Sequence, residues 1–180
     1  MGAHLEEDMN AERKHPAMSR LPERIPKMKQ KILRAARGGA KIYWRIRQPM
    51  TVGVRTFVFN EKGAVLLVRH TYMDGWFLPG GGVHKGEPLA RAALREAEEE
   101  VGVTSPRQPI LFGAYSYFGD HKSDHIVLYE IKDWSMAPAP NLEIAEFGFF
   151  QVSELPKDTS PGTRRRLREY DDGGPTSELW

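Results

Sequence analysis

The chain has 180 residues, 28% of them charged and 40% hydrophobic, with 26 Lys and Arg against 24 Asp and Glu and no cysteine. That length suits one domain with an added terminal element. The lack of cysteine excludes disulfides, thiolate metal sites and cysteine nucleophiles, so a metal here would rest on oxygen or imidazole ligands.

Charge is placed unevenly along the chain. Residues 1–50 carry 12 basic and 5 acidic side chains, a balance of +7, and residues 51–180 carry 14 and 19, a balance of −5. No apolar run approaches the roughly 18 residues that span a bilayer, and Met1 to Asn10 is acidic without a signal peptide's apolar segment. A soluble, cytoplasmic protein without a membrane partner is expected.

Residues 1–20 are polar and uneven in pattern, ending near Pro16 and Pro22, as in a disordered leader. Residues 21–48 read as a basic helical extension. Apolar residues recur at Ile25, Met28, Ile32 and Ala35/Ala36, mostly Lys or Arg stands between them, and Gly38-Gly39 breaks the pattern before a short piece at Ile42-Tyr43-Trp44. The stripe suits packing on the domain or on a second copy in a homodimer. This is favoured over binding of nucleic acid or an acidic membrane by the Lys and Arg residues, which are then simply solvated.

The period then becomes that of strands. Thr51 to Phe59 and Ala64 to Val68 flank Asn60-Glu61-Lys62-Gly63, whose residues suit a tight turn, so an antiparallel pair is expected. Residues 88–101 are rich in Ala, Leu, Arg and Glu without internal Gly or Pro and predict a helix ended by Gly102. Ile110 to Phe118 and His125 to Ile131 predict two strands around the polar turn Gly119 to Asp124. Phe147 to Phe150 predicts another strand, and Pro161 to Tyr170 a last helix closed by Gly173-Gly174-Pro175. Its run Arg164-Arg165-Arg166-Leu167-Arg168 reads first as a solvated face. Together these elements predict an α/β sheet protein with helices on its faces.

The chemistry concentrates between Gly81 and Val103. Five residues separate Gly81 from Glu87, and seven more lead to Arg95-Glu96-Ala97-Glu98-Glu99-Glu100-Val101-Gly102-Val103. On a helix, Glu96, Glu99 and Glu100 share one side, with Ala93, Ala97 and Val101 as the opposite apolar stripe. Three carboxylates on one patch repel unless cations occupy it, and clustered oxygen ligands select Mg²⁺, Mn²⁺ or Ca²⁺. Arg95 lies four residues before Glu99 and can fix its rotamer, and Glu87 can reach the same Arg from the preceding loop. Gly80, Gly81 and Gly82 permit positive φ, so a backbone carbonyl can face a metal or a phosphate can come close.

This segment resembles the Nudix box: a glycine, five residues, Glu, seven residues, then Arg-Glu-aliphatic-any-Glu-Glu-any-Gly-aliphatic. Every polar and glycine position is met, with Ala97 smaller than the bulky aliphatic of the strict pattern. The likeness covers about residues 50 to 156, through Trp76 to Val83 upstream and Glu143-Ile144-Ala145-Glu146 to Pro156 downstream. It implies a Nudix-type α/β/α sandwich with a mixed β-sheet over residues 49–160, followed by a C-terminal helix and tail at 161–180.

The implied activity is Mg²⁺-dependent hydrolysis, with Mn²⁺ as the alternative ion, of a small nucleoside diphosphate linked to another moiety. Glu99 and Glu100 would be principal metal ligands, Glu96 a further ligand or the base, and Gly81 or Gly80 a carbonyl ligand. Arg95 and Glu99 would also serve catalysis, with Glu87, Gly80 and Gly102 supporting the site and Trp76, Tyr115, Glu143 and Glu146 as substrate-binding candidates. Two alternatives are an enzyme directed at RNA 5′ ends and a noncatalytic nucleotide-sensing module.

Overall fold

The computed structural model describes residues 50–119, 123–137 and 142–180, and the backbone of 18–20. The basic extension expected at 21–48 and His121 in the turn before Asp124 lie outside the described residues. In chain order the elements are β1 (Met18–Arg20), β2 (Met50–Phe57), β3 (Val65–His70), α1 (Leu89–Val101), β4 (Val103–Thr104), β5 (Ile110–Tyr117), β6 (Ser123–Glu130), β7 (Ser135–Met136), β8 (Ile144–Phe150), a 3₁₀ turn (Val152–Glu154) and α2 (Pro161–Asp171). They form two three-stranded sheets, β1-β8-β3 and β2-β6-β5, and a short β4-β7 pair. The second sheet is mixed, β6 running parallel to β2 and antiparallel to β5.

Two strand expectations are corrected. Met18–Arg20, inside the stretch expected to lack structure, pairs antiparallel with Glu146–Gly148 of β8. The expected hairpin of β2 with β3 exists only at its turn, where Asn60 and Ala64 bond through their backbones and Phe59 bridges Val65. Beyond the turn the strands part, β2 to β6 and β3 to β8. The physical reason lies in β3. Leu66 and Val68 enter one apolar cluster with Ala97, Val101 and Phe147, while Val65 and Leu67 enter another with Trp76, Leu128 and Leu167. A strand buried on both faces belongs inside the molecule.

α1 is wedged between the two sheets. Its Ala97 and Val101 meet the β3-β8 side, and Ala92 and Ala93 meet Val54 and Tyr129 of the other sheet. Small side chains on both flanks allow that close approach. Gly102 closes the helix in the left-handed conformation (φ 69°), its N–H donating to the carbonyls of Ala97 and Glu98.

On the opposite face of the β2-β6-β5 sheet, α2 seats Leu167 against Phe57, Tyr115 and Leu128. Ser160 caps it by accepting from the Thr163 N–H at 3.1 Å. The arginine run on α2 is not uniformly solvated, because Arg166 is 1% exposed. Its guanidinium lies 4.0 Å from the centre of the Tyr115 ring and donates to Glu169 at 3.1 Å. It also donates to the Leu179 carbonyl at 2.9 Å, fixing the C-terminal tail beside β5. There the Ser116 N–H donates to Glu178 and the Trp180 N–H to Ser116.

Candidate active site

Residues 76–83 cross from one sheet to the other and so create the cleft. Phe77 exchanges backbone hydrogen bonds with Val68 of β3, and farther along the Thr56 N–H donates to Pro79, that of Val54 to Gly81 and that of Val83 to Val52. The glycine loop is thereby pinned along the free edge of β2, facing α1. Gly80 needs its freedom: φ is +139°, and a Cβ there would collide with the Val54 carbonyl. At Gly81 a Cβ would run into the Glu96 carboxylate, so this glycine makes room for a functional side chain.

Arg95 organises the carboxylates. It holds Glu87 with two hydrogen bonds of 2.8 and 2.9 Å, reaches Glu96 at 2.7 Å and Glu99 at 3.1 Å, and donates to the Gly82 carbonyl at 2.9 Å. The bidentate Arg95 contact and the His84 N–H hold the Glu87 carboxyl down at about 2. Glu87, Arg95 and the loop therefore form one rigid frame, as the spacing implied.

The three acidic residues of α1 sit in different environments. Glu99 is open to water, its side chain 61% exposed, while Glu96 is largely covered. Glu100 is buried, and burial pushes its carboxyl up to about 8 against the opposing pull of Arg55 and of the Gly80 N–H, which donates to it at 2.9 Å. His70 Nδ1 stands 4.0 Å from the other Glu100 oxygen. A divalent ion fits this donor set. Three hard carboxylates face one cleft, and the most buried of them lacks enough positive charge to ionise at its ordinary value. Among the described residues no three acidic or imidazole groups are already drawn to a single point. Arg95 lies between Glu96 and Glu99 instead. The expected carbonyl ligands are each engaged once, Gly81 by the Val54 N–H and Gly80 by Arg55. Carbonyl oxygens keep a second lone pair for an ion.

The cleft has two adjoining arms. One, of about 610 Å³, is bounded by Tyr72, Gly80 to His84, Arg95, Glu96, Glu99, Glu100, Leu142 and Glu143. The other, of about 530 Å³, shares Tyr72, Glu143 and the glycines and extends over Thr51 to Arg55, His70, Met73, Asp124 and Ile126. Of the substrate candidates, Glu143 borders both arms, placed there because the Thr71 N–H and hydroxyl hold the Glu143 and Leu142 carbonyls.

The other three candidates are absent from the walls of both arms. Trp76 is 3% exposed and packs edge-on against Phe150 in the core. Tyr115 is buried, donating to Glu169 at 3.1 Å beneath Arg166. Glu146 faces Arg69 across the β3-β8 pair at 3.7 Å. Strand aromatics were drawn inward by burial, and a strand carboxylate was met by a cross-strand cation.

The sequence reading missed Arg55, Thr51 and the placement of His70. Thr51, Gly53 and Arg55 alternate with Val52 and Val54 on β2, a polar face on a strand, which was the available signal. Thr51 donates to Asp124 at 2.7 Å across the parallel pair.

A glycine loop clamped to a sheet edge and a carboxylate helix locked by an arginine define a hydrolase-type site in an α/β/α sandwich. The profile of the NUDIX domain matches residues 49–170, which takes in most of α2. The chain belongs to the Nudix family, whose members are hydrolases of pyrophosphate bonds.

Among relatives, the chain is 29% identical over 123 residues to the putative 8-oxo-dGTP diphosphatase of Bacillus subtilis (strain 168), covering 68% of this chain and 81% of that protein. It is 40% identical over 65 residues to the RNA pyrophosphohydrolase of Gluconobacter oxydans (strain 621H), covering 33% of this chain and only 38% of that protein. A crystal structure of a MutT NUDIX hydrolase from Burkholderia pseudomallei superimposes with a TM-score of 0.60 at 25% identity, covering 67% of this chain and 97% of that one.

Proposed function

We propose that this protein uses Mg²⁺ to hydrolyse the diphosphate linkage of a small nucleoside diphosphate derivative. The observation that carries the reading is the trio Glu96, Glu99 and Glu100 on one wall of the cleft, framed by Arg95 and Glu87 and facing the glycine loop. Glu99 and Glu100 would hold the ion, with Glu96 beside them. The bound ion would neutralise phosphate oxygens and lower the pKa of water.

The chain's own residues supply the rest. Gly80 to Gly82 let the phosphates approach the backbone, and Arg95 keeps the carboxylates in register. Glu96 or Glu99 takes the proton of the attacking water. Water adds to one phosphorus, the bridging P–O bond breaks, and the second phosphate leaves with the bridging oxygen.

The second arm, with the Thr51–Asp124 pair, suits the nucleoside part. Nucleoside triphosphates, oxidised guanine nucleotides among them, head the substrate panel because the relative with that name aligns along most of both chains. RNA 5′ ends rank below them, since the RNA-directed relative aligns over a third of this chain. The test is a product-resolved screen in Mg²⁺ with Glu99→Gln and Glu100→Gln alongside. Loss of at least about 100-fold in kcat is expected for each. Full activity in both variants, or binding without turnover across the panel, defeats the reading.

A further inference from the structure

The side of the β2-β6-β5 sheet that carries α1 is only partly covered. Val54, Val127 and Tyr129 on that side form a cluster with Ala92 and Ala93 of α1. The pairings Leu111↔Tyr129, Ala114↔Val127 and Val52↔His125 put Leu111, Ala114 and Val52 on the same side, and Met50 follows two residues before Val52. None of these four joins the α1 cluster. Met50 is 75% exposed, Leu111 59% and Val52 41%. Three of the eight exposed large apolar residues among the described ones, Met50, Val52 and Leu111, lie on this side of the sheet.

Residues 21–49 join β2 at Met50, the edge of the strip. They carry nine Lys and Arg against one Glu, whereas residues 50–180 carry 14 basic and 19 acidic side chains, so the two parts attract. The strip runs six residues along β2, about 20 Å at a strand's rise. Ile25 to Ala36 as a helix is about 18 Å long.

We propose that the apolar stripe Ile25, Met28, Ile32 and Ala35/Ala36 docks on the Met50-Val52-Leu111 strip of its own chain. The helix completes the layer beside α1. It thereby lies against β2 beside the arm of the cleft that Thr51 to Arg55 line.

The natural chain has no cysteine, which makes site-specific cross-linking clean. The full-length double variant Ile32→Cys/Leu111→Cys is treated with a short bis-maleimide beside a control, Ile32→Cys/Arg168→Cys. Arg168 is exposed on α2, across the sheet. The expected result is an intrachain link in roughly tenfold higher yield than in the control, unchanged on dilution. Links between chains that fade on dilution assign the strip to a second copy and overturn the proposal, as do equal yields in the two variants. If Leu111→Cys lowers the melting temperature, Ile32→Cys/Val52→Cys takes its place with the same outcomes.

Discussion

At the scale of single residues, Arg95 shows why a guanidinium occupies its position. Its three nitrogens bridge a loop carboxylate, two helix carboxylates and a backbone carbonyl at once. An ammonium group cannot span that fork. Arg95→Lys is therefore expected to lower kcat/KM by roughly 10- to 100-fold while circular dichroism stays unchanged, as steady-state kinetics on the screened substrate would show.

Glu100 supports a prediction about pH. Its folded-state carboxyl, raised to about 8, binds a proton more tightly than the unfolded chain does, so in chelator its contribution to stability is complete below the ordinary carboxylate value and is lost as pH rises toward about 8. Glu100→Gln keeps an acceptor for the Gly80 N–H without the charge. The melting temperature of the natural chain minus that of the variant should fall between about pH 5 and about pH 8. A constant difference would mean that Glu100 is already ionised at the lower end.

At the scale of elements, α2 shows how a charge can be part of a core. Arg166 and Glu169 are both buried, and Glu169 also accepts from Tyr115 and Thr176, so helix, β5 and tail share one polar knot. Arg166→Leu leaves the Glu169 charge buried without its cation, at a cost of about 3–5 kcal/mol. Adding Glu169→Gln should return much of that loss. Urea titrations of both variants measure it, and a cost below about 0.5 kcal/mol in the single variant would show that water reaches Glu169.

The same element explains a limit of sequence patterns. Five positions reading Arg-Arg-Arg-Leu-Arg look solvated, but Tyr115 of β5, Glu169 and the tail returning over α2 together hold Arg166 inward. The split of β2 from β3 has a similar origin. Local turn chemistry at Asn60–Gly63 was legible, but the partner of each strand was set by burial on both faces of β3.

At the scale of the whole molecule, metal and fold are coupled by mass action. If the carboxylate wall holds Mg²⁺ in the folded state alone, saturating ion should add about 1–3 kcal/mol, a rise of several degrees in melting temperature for a chain of this size. Glu100→Gln should lose most of that rise. An equal rise in the variant would place the ion elsewhere.

The sequence by itself determined the box helix and its cap, the order of most strands, and the lock between Arg95 and Glu87, because these depend on spacing within a few turns of chain. Tertiary structure decided the rest. It sent Trp76, Tyr115 and Glu146 away from the cleft and brought Tyr72, Thr51, Asp124 and Glu143 to its walls. The reason is physical. A helix writes its faces into adjacent residues, whereas the occupants of a cleft between two sheets come from strands far apart in sequence, and the register of those strands is settled by which apolar side chains can be buried together.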